Sequence, residues 1–189
     1  MQITNFFRFL GIGLVPLIFS FNLSAQTYPN KPVTVIVPFS AGSASDVVTR
    51  VLLEKVSSNT NTRFIFDNRP AAGGNVGTAA VVKAEPDGYT IGLSTSGPLA
   101  VNKILNPDLG YDPERDLQPI ALFAILPNII VVSSTLNINN LSQLNDYIRK
   151  TPDVAYGSVG NGSSQHLAGA YYEQLLGAKM THVPYRVTA

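Results

Sequence analysis

The sequence contains no cysteine. A disulfide framework, a zinc site built from thiolates and a lipidated-cysteine anchor are therefore excluded, and the fold must be held by its apolar core. Charge of either sign is scarce, with 13 Lys and Arg against 12 Asp and Glu in 189 residues. Arg8 lies in an N-terminal segment set apart below, so the remaining charges balance. No basic stripe of the kind a nucleic-acid surface requires is present. Common catalytic signatures are missing too. There is no G-x-S-x-G elbow to present a nucleophilic serine, and no H-E-x-x-H or other metal-ligand spacing. The glycines of 157–162 (GSVGNG) fall in the wrong order for a dinucleotide fingerprint. No metal and no cofactor are expected. A triad of serine, His166 and Asp46 can be written down, but no spacing places those groups within reach of one another.

What is present begins with a targeting segment. Arg8 is the only charge before Lys31, and residues 9–23 form an almost unbroken apolar run. The run is shorter than the roughly 20 apolar residues that a membrane-spanning helix needs. It ends in Ser24 and Ala25, which suits signal-peptide cleavage before Gln26. Residues 1–25 are read as a signal peptide, and export to the periplasm follows. The remaining chain is long enough for one good domain or two small lobes.

Strand-like and helix-like segments then alternate, which predicts an α/β fold. Residues 33–39 (VTVIVPF) are a short, β-branched, continuous apolar run, as in a strand buried on both faces. Residues 45–57 carry Val47, Val48, Val51, Leu52 and Val56 at helical spacing. Further strands are predicted at 63–66, 89–93, 120–123, 129–132, 154–158 and 180–185, and further helices at 76–84, 141–150 and 164–176. Pro98, Pro107, Pro113 and Pro119 argue against long helices in the middle.

One internal similarity bears on function. VTVIVPFSAGSASDVVTRVLL and VAYGSVGNGSSQHLAGAYYEQLL share a plan of strand, Gly/Ser-rich loop and amphipathic helix. Such a loop exposes unpaired backbone N–H groups at the positive end of a helix dipole, which is a site for an anion. Two of them could grip a ligand with a carboxylate at each end, although each alone is also an ordinary capped helix start. Asp46 fits the first helical turn for structural reasons as well. Arg69 reads as an ion-pair partner, and His182 as a packing residue. His166 is poised between donating to a ligand and donating to the backbone.

Six stretches occur in order along the chain: YPNKPVTVIVPFSAGSASD, DNRPAAGGNVG, EPDGYTIGLSTSG, YDPERDLQPIALF, YGSVGNGSSQHLAG and HVPYR. Together they resemble the Bug, or TctC-like, family of periplasmic solute-binding receptors, which serve tripartite tricarboxylate transport systems of Gram-negative bacteria. The resemblance covers essentially all of the sequence after the targeting segment. It implies a two-lobed, type II periplasmic binding protein-like α/β fold that captures a small carboxylate and is not an enzyme. The first lobe would span 26–122 and a partial second lobe 123–189, because the family continues beyond the point where this chain stops. Carried over by motif, the first loop supplies Phe39, Ser40, Ala41, Gly42, Ser43, Ala44 and Asp46. The second supplies Ser158, Gly160, Asn161, Gly162, Ser163, Ser164 and His166. Asn75, Ser94, Thr95 and Ser96 would line the cleft beside them. The implied partners are the ligand and the integral-membrane permease subunits, with the receptor a monomer.

The sequence departs from the family at Ser43, where a second glycine is usual; the hydroxyl and the stiffer backbone bear on ligand preference. Three alternatives stay open: a receptor presenting its ligand to a membrane sensor kinase, a non-functional truncated fragment, and a periplasmic serine-type hydrolase.

Overall fold

The strand predicted from the continuous apolar run forms at Val33–Val37 (β1) and lies at the centre of a parallel sheet, with Phe64–Asn68 (β2) on one side and Thr90–Gly92 (β3) on the other. Val33 pairs with Phe64 and Thr34 with both Ile65 and Thr90. Being central, β1 is covered on both faces, and Val33, Val35, Ile36 and Val37 are all buried. The computed structural model describes residues 28–185; the targeting segment predicted at 1–25 lies outside the described residues. The described residues from Lys31 onward form one compact unit.

Two helices follow this sheet's strands. Ala44–Thr60 (α1) connects β1 to β2, and Asn75–Val82 (α2) connects β2 to β3. After β3 the chain makes a π-helical turn at Gly97–Val101 and two helices of a single turn each, Asn102–Leu105 (α3) and Pro113–Asp116 (α4). Proline at the start of α4 suits the one helical position that needs no N–H. A second parallel pair, Ala155–Ser158 (β4) and Thr181–Pro184 (β5), packs with Leu141–Lys150 (α5) and Ser164–Leu176 (α6). Its small core gathers Leu144, Ile148 and Leu176, with Tyr147, Val154, Tyr172 and Met180 around them. The bounds of α5 and α6 coincide with those predicted from periodicity.

Two expectations fail. The predicted strands at 120–123 and 129–132 do not form; Ile120, Leu122 and Val131 stay more than four-fifths exposed. A strand requires a backbone partner as well as β-branched residues. Among the described residues the second sheet holds only β4 and β5, and neither pairs with that segment. Second, α1 is rolled away from its predicted apolar face. Asp46 and Thr49 point inward while Val47, Val51 and Leu52 are exposed, because a polar network described below fixes the helix by Asp46.

Close packing under β1 depends on a missing side chain. A Cβ built on Gly77 of α2 would stand 2.5 Å from the Pro38 Cβ and 2.7 Å from the Pro38 Cα. Backbone cannot yield cheaply, so overpacking outweighs the helix propensity gained. Gly77→Ala should lower stability by about 1–2 kcal/mol, measured as a lower urea midpoint at unchanged slope. An unchanged midpoint would show that α2 can move off the sheet freely.

Candidate functional site

The two loops singled out by sequence have the same covalent plan and fold the same way. In the first, Gly42 takes a positive φ of 81° and Ser43 caps α1, accepting from the Asp46 amide at 3.3 Å. In the second, Gly162 takes a φ of 74° and Ser163 caps α6, accepting from the His166 amide at 3.2 Å. A backbone turn precedes each cap, from Ser43 N to Ser40 O at 3.1 Å and from Ser163 N to Gly160 O at 3.2 Å. The side chain three residues after the cap then reaches back. Asp46 Oδ2 accepts from the Gly42 amide at 2.8 Å, and His166 Nδ1 accepts from the Gly162 amide at 3.1 Å. This resembles a capping box in which the returning side chain grips the residue before the cap. The next two amides in each loop, those of Ala44 and Ser45 and those of Ser164 and Gln165, have no acceptor within their helix. They stand at the positive end of the helix dipole, where an anion is favoured.

Behind the first loop, Asp46 is 1% exposed and fully engaged from within. Besides the Gly42 amide it accepts from Arg50 Nε at 2.9 Å and from Asn68 Nδ2 at 2.9 Å. The Arg50 guanidinium, with help from Asn68 and Gly42, holds its carboxyl down to about 2 against the opposing effect of burial. Asp46 therefore braces the loop rather than presenting its carboxylate to a ligand. Arg50 extends the brace by donating to Asn68 Oδ1 at 3.0 Å and lying 4.2 Å from the centre of the Phe66 ring. Among the described residues Arg69 pairs with Asp67, at 2.7 Å.

Behind the second loop lies a feature that sequence reasoning missed. His182 on β5 stacks on His166, with ring centres 4.0 Å apart. Its Nε2 is 2.7 Å from Ser158 Oγ, which also accepts from the Gly160 amide at 3.0 Å. Burial, and to a lesser extent His166, push the His182 pKa below its usual value. Only the parallel pairing of β4 with β5 brings 158 and 182 together, so no local pattern could have shown it. Ser158 is buried and tied into its own loop, and the Asp46 carboxylate belongs to the other loop's network.

The loops meet at a common turn, Ala72–Gly74, which follows β2. A Cβ on Gly74 would stand 3.5 Å from the Phe39 ring, and one on Gly73 would stand 3.2 Å from the Asn161 carbonyl oxygen. Contact is tighter still at Gly162, where a Cβ would fall 1.6 Å from Asn102 Oδ1. Asn102, another residue the sequence did not reveal, is buried and donates to Asn75 Oδ1 at 2.7 Å. Tyr111 donates to Asn75 Oδ1 at 3.3 Å and to the Pro98 carbonyl at 3.0 Å. Of the flanking residues, Ser94 is bonded to buried Thr78 at 2.8 Å, Thr95 accepts from the Leu99 amide, and Ser96 is exposed before the π-helical turn. Ser40 is half-buried and Ala41 exposed beside Gly42. Two hollows lie elsewhere: an open one of about 420 Å³ beside Arg50 and Phe64, and one of about 490 Å³ between 128–133 and Tyr156 and Tyr172. The first includes none of the loop residues, whereas the second reaches Gln165 at the start of α6.

Loops gathered at the carboxyl ends of parallel strands are where open α/β sheets bind ligands, and the fold is that of the periplasmic binding proteins. Residues 48–189 match the family described as Tripartite tricarboxylate transporter family receptor, TctC, and the chain belongs to that family. It is 33% identical to Protein BugT of Bordetella pertussis (strain Tohama I), covering 98% of this chain and 58% of the relative. It is 35% identical to a protein of Pseudomonas sp. (strain P51) from the tcbD-tcbE intergenic region, covering 85% of this chain and 48% of the relative. The chain thus spans about half the length of these curated relatives. Among solved structures, a protein of R. palustris with adipate superposes with a TM-score of 0.80 at 32% identity, over 85% of this chain and 54% of that one. MatC from Rhodopseudomonas palustris with bound malate superposes with a TM-score of 0.77 at 27% identity, over 85% and 55%.

The Asp46 network makes a signed prediction. Its folded pKa is depressed, so its stabilisation is fully present above about 3.8 and is lost as pH falls through about 2. Asp46→Asn should lower stability at neutral pH by about 2 kcal/mol and flatten the acid limb of the stability curve. Equal acid limbs in both proteins would contradict the network. His182 is depressed as well, so its contribution is present above about 6.5 and declines as pH falls below that value.

Proposed function

We propose that the protein is an exported receptor that captures a small organic acid between the two loops for a tripartite tricarboxylate transporter. The observation that carries this reading is the shared geometry of the loops, each offering two free amides at a helix start on either side of the Ala72–Gly74 turn. Family membership supports it, as do relatives solved with adipate and malate, which are both dicarboxylic acids. The first loop would hold one carboxylate through the Ala44 and Ser45 amides and the Ser40 and Ser43 side of the turn. The second would hold the other through the Ser164 and Gln165 amides. Phe39 and Ala41 would shape the first loop's wall, and Asn75, Thr95 and Ser96 the cleft beside it.

In this reading residues 1–25 direct export and are removed, 26–122 form the first lobe, 123–189 contribute to the second, and a monomer works in the periplasm. Binding biases the lobes toward a closed form that the permease subunits recognise, since a ligand shifts an equilibrium only by its differential affinity for the two states. Capture needs no chemistry, no cofactor and no metal.

Thermal unfolding against mono-, di- and tricarboxylates tests the proposal. An acid at 100 times its dissociation constant should stabilise the protein by about 2.7 kcal/mol, and its amide should do nothing. A melt that no acid moves, or that acid and amide move equally, would contradict carboxylate capture. Gly162→Ala should abolish the shift while leaving a cooperative melt, because the new methyl meets Asn102.

A further inference from the structure

The two loops differ at one position that matters for chemistry. The group that takes the glycine amide is Asp46 in the first and His166 in the second. Asp46 is anionic across the physiological range and accepts throughout it. An imidazole accepts at Nδ1 only while that nitrogen carries no proton. A protonated His166 would point an N–H at the N–H of Gly162 from 3.1 Å, a donor against a donor.

We propose that His166 is the positioning residue of the second loop, and that its neutral ring holds Gly162 in the conformation that takes the ligand. The inference rests on the carboxylate-capture reading above and adds a pH dependence to it. Among the described residues, the ring is surrounded by groups from β4, β5, α6 and the first sheet's side, with Glu173 acting on the neighbouring Tyr156. On β5 the stacked neighbour is His182, bound to Ser158 and itself resisting protonation through burial. From β4, Tyr156 lies 5.1 Å from His182, and its hydroxyl donates to the His166 carbonyl at 3.4 Å. Glu173 is two turns further along α6, where it accepts from the Met180 amide. From the first sheet's side the seam presents Asn75, Asn102 and Tyr111, all uncharged.

The sign is diagnostic, because simple attraction between an imidazolium and a carboxylate would act the other way. Malate binding is measured by titration calorimetry from about pH 8 to about pH 6, the range in which imidazoles titrate. Affinity should fall at least about threefold on acidification, as the competent fraction shrinks. His166→Asn, whose Oδ1 can accept the same amide, should bind at pH 8 within about threefold of the native protein and lose the pH dependence. His182→Asn should keep it. Affinity that rises on acidification, or an unchanged profile in His166→Asn, would overturn the inference while leaving capture intact. Failure of malate to bind at pH 8 counts against capture of that acid. In that case the NMR titration of the native protein decides the inference alone: a Gly162 amide resonance that follows the His166 ring supports it, and one that ignores the ring overturns it.

Discussion

The site depends on one hydrogen bond made twice: a glycine amide at positive φ given to the side chain four residues later. Without it the residue before each helix cap is free to turn, and the loop has no fixed exit from the strand. With it, the cap serine and the returning side chain together use the amides on either side of the helix start. Only the next two are left over. Each such bond contributes about 1 kcal/mol net, more where the acceptor is charged. Its larger effect is geometric, since a ligand that finds two aligned amides need not order them on binding.

The rest of the fold serves that geometry. Central β1 fixes where the first loop starts, and the Asp46–Arg50–Asn68 network ties α1 to β2 so that the loop cannot roll. The same network explains why α1 turns a polar face inward. On the other side, Ser158 and the paired histidines fix the floor of the second loop. The two halves approach through glycine. Gly73 and Gly160 pass so closely that a Cβ on Gly160 would stand 2.8 Å from the Gly73 nitrogen. The half-buried amide of Asn75 and the buried amide of Asn102 supply the polar surface at that seam.

Much of this was legible in the sequence where the signal was local. The run VTVIV reads as a strand covered on both faces, and the stripes of α5 and α6 gave those helices to the residue. The likeness of the two Gly/Ser loops was visible. What escaped was non-local. Nothing near 182 in the sequence says that β5 pairs with β4 and sets His182 against Ser158. Asn102 sits in a four-residue helix that carries no pattern at all. The strands expected at 120–123 and 129–132 read correctly as β-prone, but a ladder needs a neighbour that those residues do not find. Asp46 looked like a site residue because of its position, and burial with three donors gave it another task.

The central claim, that both loops take the same ligand through their free helix-start amides, is tested most directly by backbone NMR with a saturating dicarboxylate. The amides of Ala44, Ser45, Ser164 and Gln165 should shift together with one dissociation constant, and the corresponding diamide should leave them unmoved. Shifts confined to one loop, or centred on the hollow lined by Tyr156 and Tyr172, would contradict the account.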